Sequence, residues 1–481
     1  MNTSGATVYY VSGDGNDDND GSESSPWQTI AKVNEVVAAK AEDTKMVFCF
    51  NRGDTFRGQL SAKSNVTYTA YGTGAKPLIT VSPENAAKSY RWQQVDDGIY
   101  MYGFKIMDVG SVFFNDGQSY AAKRCPDITV NGGVYSAEYG YEALEDMQFI
   151  WIPESLSTAI GLTNANAENI KGYLYLRCDK GNPGEIFDNI ELSLRQYVIA
   201  LSSNSSNITV DNLAVKYGGA HGIGGSHQSD LLVQNCEVAY IGGGIQQYKA
   251  SELTEDTYIP CRYGNGVEVN ASCDGYTVQN CWVHDVFDAG VTHQTGTNHD
   301  VQYTFKDVTY KNNLIENCTY SVEYFAYRGA TTNADMLLDN ILIDGNIMRN
   351  AGDGFGVTRT LQPSMWNMAT HIMGWYRSPN LLVEGSSFVI SNNVFDRVIY
   401  TQPYSSGPRI NSSLMIIAAE DKADLPELKG NTYINYIGNA FAYYGENLEL
   451  MTAADIKAYT VSNSAAKLLG DSDGEMYYLN K

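Results

Sequence analysis

Three acidic residues recur in one repeated phrase of the chain. Glu268 and Glu323 each follow a valine in the segments Gly266-Val267-Glu268 and Ser321-Val322-Glu323, and Asp288 begins the intervening segment Asp288-Ala289-Gly290-Val291-Thr292. Hydrolysis of a glycosidic bond needs two carboxyl groups, one protonated and one ionised. Clustering of carboxylates raises the pKa of at least one member, as the acid requires. The pattern therefore predicts a catalytic set of Glu268, Asp288 and Glu323.

Side chains that suit a sugar substrate lie near these carboxylates in the repeat. Tyrosine and tryptophan stack on sugar rings, and arginine pairs with the carboxylate of a uronate. The predicted substrate-binding residues are His221, Gln246, Arg262, His293, Tyr324, Arg328 and Trp375. His293 stands one position past the outward-facing one, so an inward, structural histidine is the alternative interpretation there.

Two short phrases recur along the chain at one period. The first is an aliphatic residue, any residue, asparagine and an apolar residue, and its clearest copies are Val210-Asp211-Asn212-Leu213, Val233-Gln234-Asn235-Cys236 and Val278-Gln279-Asn280-Cys281. The second begins at Gly222, Gly244, Gly266, Gly290, Ser321 and Gly354. Both repeat at roughly 22 to 24 residues once insertions are allowed for, which is typical of a solenoid.

Apolar residues alternate with a period of two within each unit, which indicates strands and not helices. Short strands stacked in one direction make an all-β parallel β-helix. The repeated asparagines Asn212, Asn235, Asn280 and Asn312 are expected to stack at one corner as a hydrogen-bonded ladder. Alternation also puts Gly224, Gln246, Glu268, Thr292, Glu323 and Gly356 on one outward line. Coils lie about 4.8 Å apart, so the two glutamate Cβ atoms should lie roughly 9 to 10 Å apart, two coils from each other.

The sequence resembles the pectin-lyase-like superfamily of right-handed parallel β-helix proteins. The resemblance lies in the opening segment 8–16, in Ser25-Pro26-Trp27-Gln28-Thr29-Ile30, and in Gly172-Tyr173-Leu174-Tyr175-Leu176. These look like the first strand, the capping helix and a β-rich excursion of secreted bacterial, carbohydrate-active members. Within the superfamily the chain looks most similar to glycoside hydrolase family 141, which implies action on plant cell-wall glycans.

The predicted organisation has three parts. Residues 1–45 form the first strand and the N-terminal cap, and residues 46–440 form the β-helix with an inserted excursion at about 118–200. Residues 441–481 form a tail or cap, with a helix-like stretch at 453–459.

Composition excludes several classes of function. The formal charge is −23 over 481 residues, the reverse of what binding to nucleic acid or to an anionic membrane surface requires. No apolar run approaches the 18 or so residues of a spanning helix. The eight cysteines form no Cys-x-x-Cys pair, and Cys236 and Cys281 are expected to be small core residues. No signal segment follows Met1, so we expect a monomeric protein that is secreted, periplasmic or on the cell surface after loss of a signal.

Two other functions stay open from the sequence. A polysaccharide lyase would use Arg262, Arg328 or Arg359 as the base for β-elimination, with calcium held by Glu268 and Asp288. A non-catalytic glycan-binding solenoid would need the groove but not the carboxylates. We expect hydrolysis without a required cofactor or transition metal, and calcium is the one ion kept open, either there or at the acidic run Asp14, Asp17, Asp18 and Asp20.

Overall fold

The computed structural model describes residues 5–251, 254–296, 301–325, 336–361, 369–375, 382–399, 413–418, 425–436, 440–444, 449–451, 471 and 473–480. Strands dominate these residues, and most pair in parallel with strands one coil away. The prediction of an all-β parallel β-helix is confirmed.

Each coil contributes strands to three faces. The first face contains Leu60–Ala62, Ile199–Leu201, the starts of Ile223–Gln234 and Val267–Gln279, then Ala289–Gln294, Tyr320–Phe325, Thr370–Trp375, Ser413–Ala418, Ala440–Tyr444 and Glu449–Met451. The second face contains Thr7–Val11, Met46–Asn51, Val66–Tyr71, Ser206–Asp211, the ends of the same two long strands, Tyr303–Lys311, Met336–Asp344, Phe388–Ser391 and Glu427–Lys429. The third face contains Thr55–Arg57, Leu78–Thr80, Ala214–Gly218, Glu237–Ile241, Trp282–Val286, Leu314–Glu316, Ile347–Ala351, Val394–Val398, Thr432–Tyr436 and Glu475–Leu479.

The repeated asparagines turn the chain between the second and third faces. Asn212, Asn235, Asn280 and Asn312 have φ values of 62°, 54°, 54° and 55°, the left-handed conformation that asparagine tolerates better than most residues. Each donates its backbone N–H to the carbonyl of the coil above. Their stacking at one corner is confirmed.

The amide ladder lies one residue further along the chain than predicted. Its members are buried, and each Nδ2 donates to the Oδ1 of the next amide, from Asn313 to Asn346 to Asn393 to Asn431, at 2.9 to 3.1 Å. Asp471 ends the ladder by accepting from Asn431. The left-handed corner residue points its own side chain outward and turns the next one inward. Cys236 and Cys281 fill the same position in earlier coils and are buried, as predicted.

Aliphatic side chains stack inside the first face. Ile223, Val267, Val291, Val322 and Ile372 are consecutive in register and completely buried, which confirms the alternation.

Two predicted members of that stack are wrong. Ile245 lies in a hairpin of Ile245–Ala250 and Thr257–Arg262, which joins Ile128–Asn131 and Val134–Ala137 in a separate antiparallel sheet. Phe355 begins the 3-10 helix Phe355–Leu361 and packs in a cluster with Phe113 and Phe287. Consequently Gln246 and Gly356 are not on the outward line.

A helix covers the N-terminal end, as predicted. Thr29 caps the helix Ile30–Ala39 by accepting the N–H of Lys32. Ile30, Val33 and Val37 recur at helical spacing and are buried in the same core as the first coils.

The excursion is longer than predicted. It occupies the chain between Leu78–Thr80 and Ile199–Leu201, because Leu78–Thr80 already pairs with Ala214–Gly218 in the next coil. Its strands are Trp92–Asp96, Ile99–Tyr102, Val109–Phe114, Ser119–Arg124, Ile128–Asn131, Val134–Ala137, Gln148–Pro153, Gly172–Arg177 and Ile190–Leu194, its short helices are Leu156–Ala159 and Pro183–Ile186, and its 3-10 turns are Ser89–Arg91, Tyr141–Ala143 and Ala167–Asn169. Antiparallel strands alternate with the same period as solenoid strands, so the pattern gave no sign of where the coils stop.

The solenoid also continues beyond residue 440, since Glu475–Leu479 pairs in parallel with Thr432–Tyr436. The helix predicted at 453–459 lies outside the described residues. Within the described ranges, no helix has both the length and the apolar character needed to cross a membrane.

Candidate active site

The predicted carboxylates share one line on the outside of the first face. Glu268 pairs in register with Thr292, and Thr292 with Glu323. Asp288 lies on the turn before the middle strand, where its N–H donates to Gly264 and its carbonyl accepts from Tyr320. The structure therefore brings the three acids together as the sequence predicts.

The fold holds Glu268 as a carboxylate. Oε2 of Glu268 lies 2.9 Å from Nδ1 of His221, and the Asn265 side-chain amide donates to it at 2.5 Å. The orientation of that amide is fixed, because Oδ1 of Asn265 accepts the N–H of Ala289 and only Nδ2 is left for Glu268. Burial alone would raise the pKa of Glu268, but His221 and Asn265 outweigh it and lower the pKa below its ordinary value.

Glu323 has the opposite environment. Burial is the largest influence and raises its pKa, Asp288 raises it further, Arg359 opposes them, and Glu268 adds to the rise. The result is a pKa well above the ordinary value. Oε2 of Glu323 accepts a hydrogen bond of 2.6 Å from Gln294, which follows Thr292 on the same outward side. Glu323 is therefore held as a neutral carboxylic acid next to a carboxylate.

Asp288 is paired with a buried arginine. Nη2 of Arg359 lies 2.8 Å from Oδ1 of Asp288 and also donates to the carbonyl of Phe287. Burial by itself lowers the pKa of Arg359, but Asp288 and Tyr320 raise it overall, so the guanidinium stays charged. Arg359 comes from the 3-10 helix Phe355–Leu361, which lies 71 residues after Asp288 in the sequence.

Two tyrosines border the carboxylate of Glu268. The ring of Tyr197 lies 4.8 Å from that of His221 in an edge contact, and the ring of Tyr263 lies 6.1 Å from it. Both tyrosines are partly exposed. Gly224 occupies the line directly below Glu268, and a Cβ there would come within 3.5 Å of both His221 and Tyr197. Glycine at this position thus lets the two rings pack over the strand.

The line is more enclosed than the sequence suggested. Glu268 is 5% exposed and Glu323 is 8% exposed, although both point away from the solenoid core. The prediction of a solvated groove with no arginine beside it is therefore wrong. Two polar atoms in this region, Oγ1 of Thr292 and Oε1 of Gln246, are buried with no hydrogen-bond partner among the described residues. Such atoms are suited to a water molecule or a substrate hydroxyl.

The predicted substrate-binding residues fall into three groups. His293 and Tyr324 point into the solenoid and are completely buried, so their prediction as substrate contacts is wrong. Burial lowers the pKa of His293 to about 3, and its Nδ1 lies 2.8 Å from the Tyr310 hydroxyl. The inward interpretation of His293 is the correct one.

Arg262 and Gln246 are buried in the hairpin, and their predicted place on the line is also wrong. Arg262 donates to the carbonyls of Gly243 and Thr358. Nε2 of Gln246 donates to main-chain carbonyls, including that of Tyr263.

The remaining three predicted contacts have different outcomes. His221 lies at the site as the partner of Glu268. Trp375 ends the strand paired with Tyr320–Phe325, and only its backbone is described. Arg328 lies outside the described residues.

Sequence reasoning missed Asn265 and Tyr197, and assigned Arg359 only to the lyase alternative. Asn265 carries a usable signal, since it precedes Glu268 by three residues at the turn into the strand. Tyr197 and Arg359 come from an excursion and a 3-10 helix, and no repeat predicts where they lie.

The described residues contain no group of three or more histidine, cysteine or acidic side chains arranged to hold a metal. In the acidic run near the N-terminus, Asp17 accepts from the backbone of Gln28 and Thr29, and Asp20 accepts from Ser22. Calcium at either place stays a prediction.

Comparisons with known proteins agree with this architecture. Residues 157–307 match the family described as "Right handed beta helix region". No curated protein sequence matches the chain. The chain is a right-handed parallel β-helix protein.

Several solved structures have a similar fold. One described as a glycoside hydrolase shares 9% identity, covering 92% of this chain and 97% of its own, with a TM-score of 0.46. A family 28 exopolygalacturonase from Yersinia enterocolitica shares 13% identity over 92% of this chain and 68% of its own, with a TM-score of 0.38. A hyperthermoactive exopolygalacturonase from Thermotoga maritima shares 12% identity over 92% of both chains, with a TM-score of 0.35. The finer resemblance to glycoside hydrolase family 141 stays a prediction.

Proposed function

We propose that the protein is a glycoside hydrolase in which Glu323 is the general acid and Glu268 the general base. The supporting observation is that two carboxyl groups on one strand line have pKa values displaced in opposite directions. Two titratable groups displaced apart by their surroundings are the recurring arrangement of acid and base in enzyme sites. At neutral pH Glu323 has a proton to give to the leaving oxygen, and Glu268 can take one from water.

The separation of the two residues favours inversion at the anomeric carbon. They lie two strands apart in register, so their Cβ atoms are about 9 to 10 Å apart. Carboxyl groups roughly 6.5 to 9.5 Å apart leave room for a water molecule between base and sugar, whereas about 5 Å would allow direct attack. Oγ1 of Thr292 lies between them in register, and it is the unpartnered atom best placed to hold that water.

The neighbouring residues have distinct roles in this proposal. His221 and Asn265 orient Glu268, as their contacts with its Oε2 indicate. Asp288, held by Arg359, keeps a negative charge beside Glu323 and so helps to retain its proton. Tyr197 and Tyr263 offer partly exposed ring faces for stacking on sugar. The substrate class is a polysaccharide or oligosaccharide of plant cell-wall type, acted on outside the cytoplasm by a monomer without a required cofactor.

β-Elimination is disfavoured because it needs an unprotonated base beside the uronate. The pKa of Arg359 is raised overall by its neighbours, and its guanidinium is occupied by Asp288 and Phe287. Arg262 is completely buried. Neither residue is a suitable base for a lyase.

A glycan panel tests the proposal. New reducing ends without ultraviolet-absorbing unsaturated uronates are expected from at least one polysaccharide. Glu268→Gln and Glu323→Gln should each lower kcat by roughly 10²- to 10⁴-fold, the usual contribution of a general acid or base. Glu191→Gln is the matched control, because Glu191 is equally buried but pairs with Arg57, away from the line. Absorbing products would show a lyase, and no product from any glycan, or full activity in both line variants, would refute the assignment.

A further inference from the structure

A second polar cavity lies on the third face of the solenoid, away from the carboxylate line. Its volume is about 710 Å³, and Trp282, Asn280, Asn312, Lys216 and Glu237 are among the residues that line it. This size lies within the roughly 300 to 1,000 Å³ typical of sites for small ligands. Protein partners usually require a broader surface.

Trp282 presents a fixed, flat ring to this cavity. The side chain is 42% exposed, which is unusual for so large an aromatic residue. One ring face stacks on His284 at 3.9 Å with an interplanar angle of 21°, and Nε1 donates to Glu316 at 2.7 Å. His284 does not line the cavity, whereas Asn280 and Asn312 do. The free face of the indole therefore faces the cavity.

Polar groups surround that free face. The amides of Asn280 and Asn312 are exposed at the solenoid corner and make no hydrogen bond within the described part of the chain. Glu237 is held by Lys216 at 2.6 Å and by His284 at 3.3 Å. An apolar ring face bordered by amide and carboxylate groups matches a sugar, which has an apolar C–H face and hydroxyls around its rim.

We propose that this cavity is a glycan-binding site separate from the carboxylate line, with Trp282 as the stacking surface. It would hold a polysaccharide chain on the third face while the first face remains free. The proposal does not depend on the catalytic assignment, because its residues belong to other strands and bind without chemistry.

Affinity electrophoresis of the full chain tests this binding. Gels are cast with xylan, homogalacturonan, galactan or glucomannan, and every protein carries Glu323→Gln to limit turnover. At least one polysaccharide should retard the parent protein. Trp282→Ala should weaken that retention about tenfold, as expected for loss of a stacked aromatic anchor. Asn280→Gly removes the amide but keeps the left-handed backbone, and should weaken retention about threefold.

Ile347→Ala is the matched control. Ile347 is 46% exposed on the same strand line but does not line the cavity, so retention should be unchanged. Thermal unfolding of each variant checks that the fold is intact. Absence of retardation in every gel, or equal retention of the parent and Trp282→Ala, would overturn the proposal. Equal loss in Trp282→Ala and Ile347→Ala, together with a change from dimer to monomer in sedimentation, would instead show an interface between copies and would also overturn it.

Discussion

Replacing Glu323 by glutamine should make the protein more stable at neutral pH while it removes most activity. The side chain is 8% exposed, and glutamine keeps its shape and can still accept the hydrogen bond from Gln294. What disappears is a carboxyl group that the folded protein holds protonated and the unfolded chain ionises. A residue that is kept for chemistry at a cost in stability should behave in this way.

The direction of the effect follows from the raised pKa. Below the ordinary glutamate pKa of about 4.5, both states are protonated and the group has no effect on the pH dependence. As the pH rises above that value, the unfolded chain releases the proton first, and the free energy of unfolding falls until the folded-state pKa is passed. Each unit of separation between the two pKa values lowers it by about 1.4 kcal/mol. The glutamine variant lacks this decline.

Differential scanning calorimetry of wild type and Glu323→Gln from about pH 4 to about pH 8 measures this difference. The two melting temperatures should be closest at the acidic end and diverge in favour of the variant as the pH rises. A roughly 10²- to 10⁴-fold fall in kcat corresponds to about 2.7 to 5.4 kcal/mol of lost transition-state stabilisation. Parallel pH curves, or a variant less stable than wild type at neutral pH, would refute the conclusion that Glu323 is protonated.

Three further substitutions have expected outcomes. Glu268→Gln should be less stable than wild type at neutral pH, by a margin that vanishes as the pH falls through the lowered pKa of Glu268, because the stabilising contact of the carboxylate with His221 is lost; calorimetry would show this, and a more stable variant would contradict it. Thr292→Val should lower kcat about tenfold with the melting temperature unchanged, since its hydroxyl has no partner in the described part of the chain, and full activity would argue against a role in holding water. Asn346→Ala should lower the free energy of unfolding in urea by about 2 to 4 kcal/mol because it leaves ladder groups unpaired, whereas Asn392→Gly at the neighbouring exposed corner should change it little; equal effects would refute the ladder as the stabilising feature.

The regular coils could be predicted because every coil repeats the same physical requirement. An inward aliphatic residue must recur at each level, and this requirement fixed the register of Val267, Val291 and Val322. Residues that follow the valines must then share the outward line, which is how Glu268 and Glu323 were found. The corner asparagines were recognisable because few other residues adopt a left-handed turn readily.

The surroundings of the line could not be predicted in the same way. Ile245 has the same local pattern as Ile223, and only pairing across the chain shows that it belongs to a hairpin and not to a coil. Arg359 reaches Asp288 from a 3-10 helix that no periodicity predicts. Burial of the two glutamates by such insertions is a property of tertiary packing, and it decides which of them keeps its proton.

The protonation states of the two glutamates are the most direct test of the acid and base assignment. Carbon-13 NMR of protein labelled at the glutamate carboxyl carbon, titrated across the neutral range, should show one resonance that titrates far above the ordinary range and one that titrates below it. The high-titrating resonance should be missing in Glu323→Gln, and the low-titrating one in Glu268→Gln. If both glutamates titrate in the ordinary range, or if the high-titrating resonance belongs to Glu268, the assignment of Glu323 as acid and Glu268 as base is contradicted.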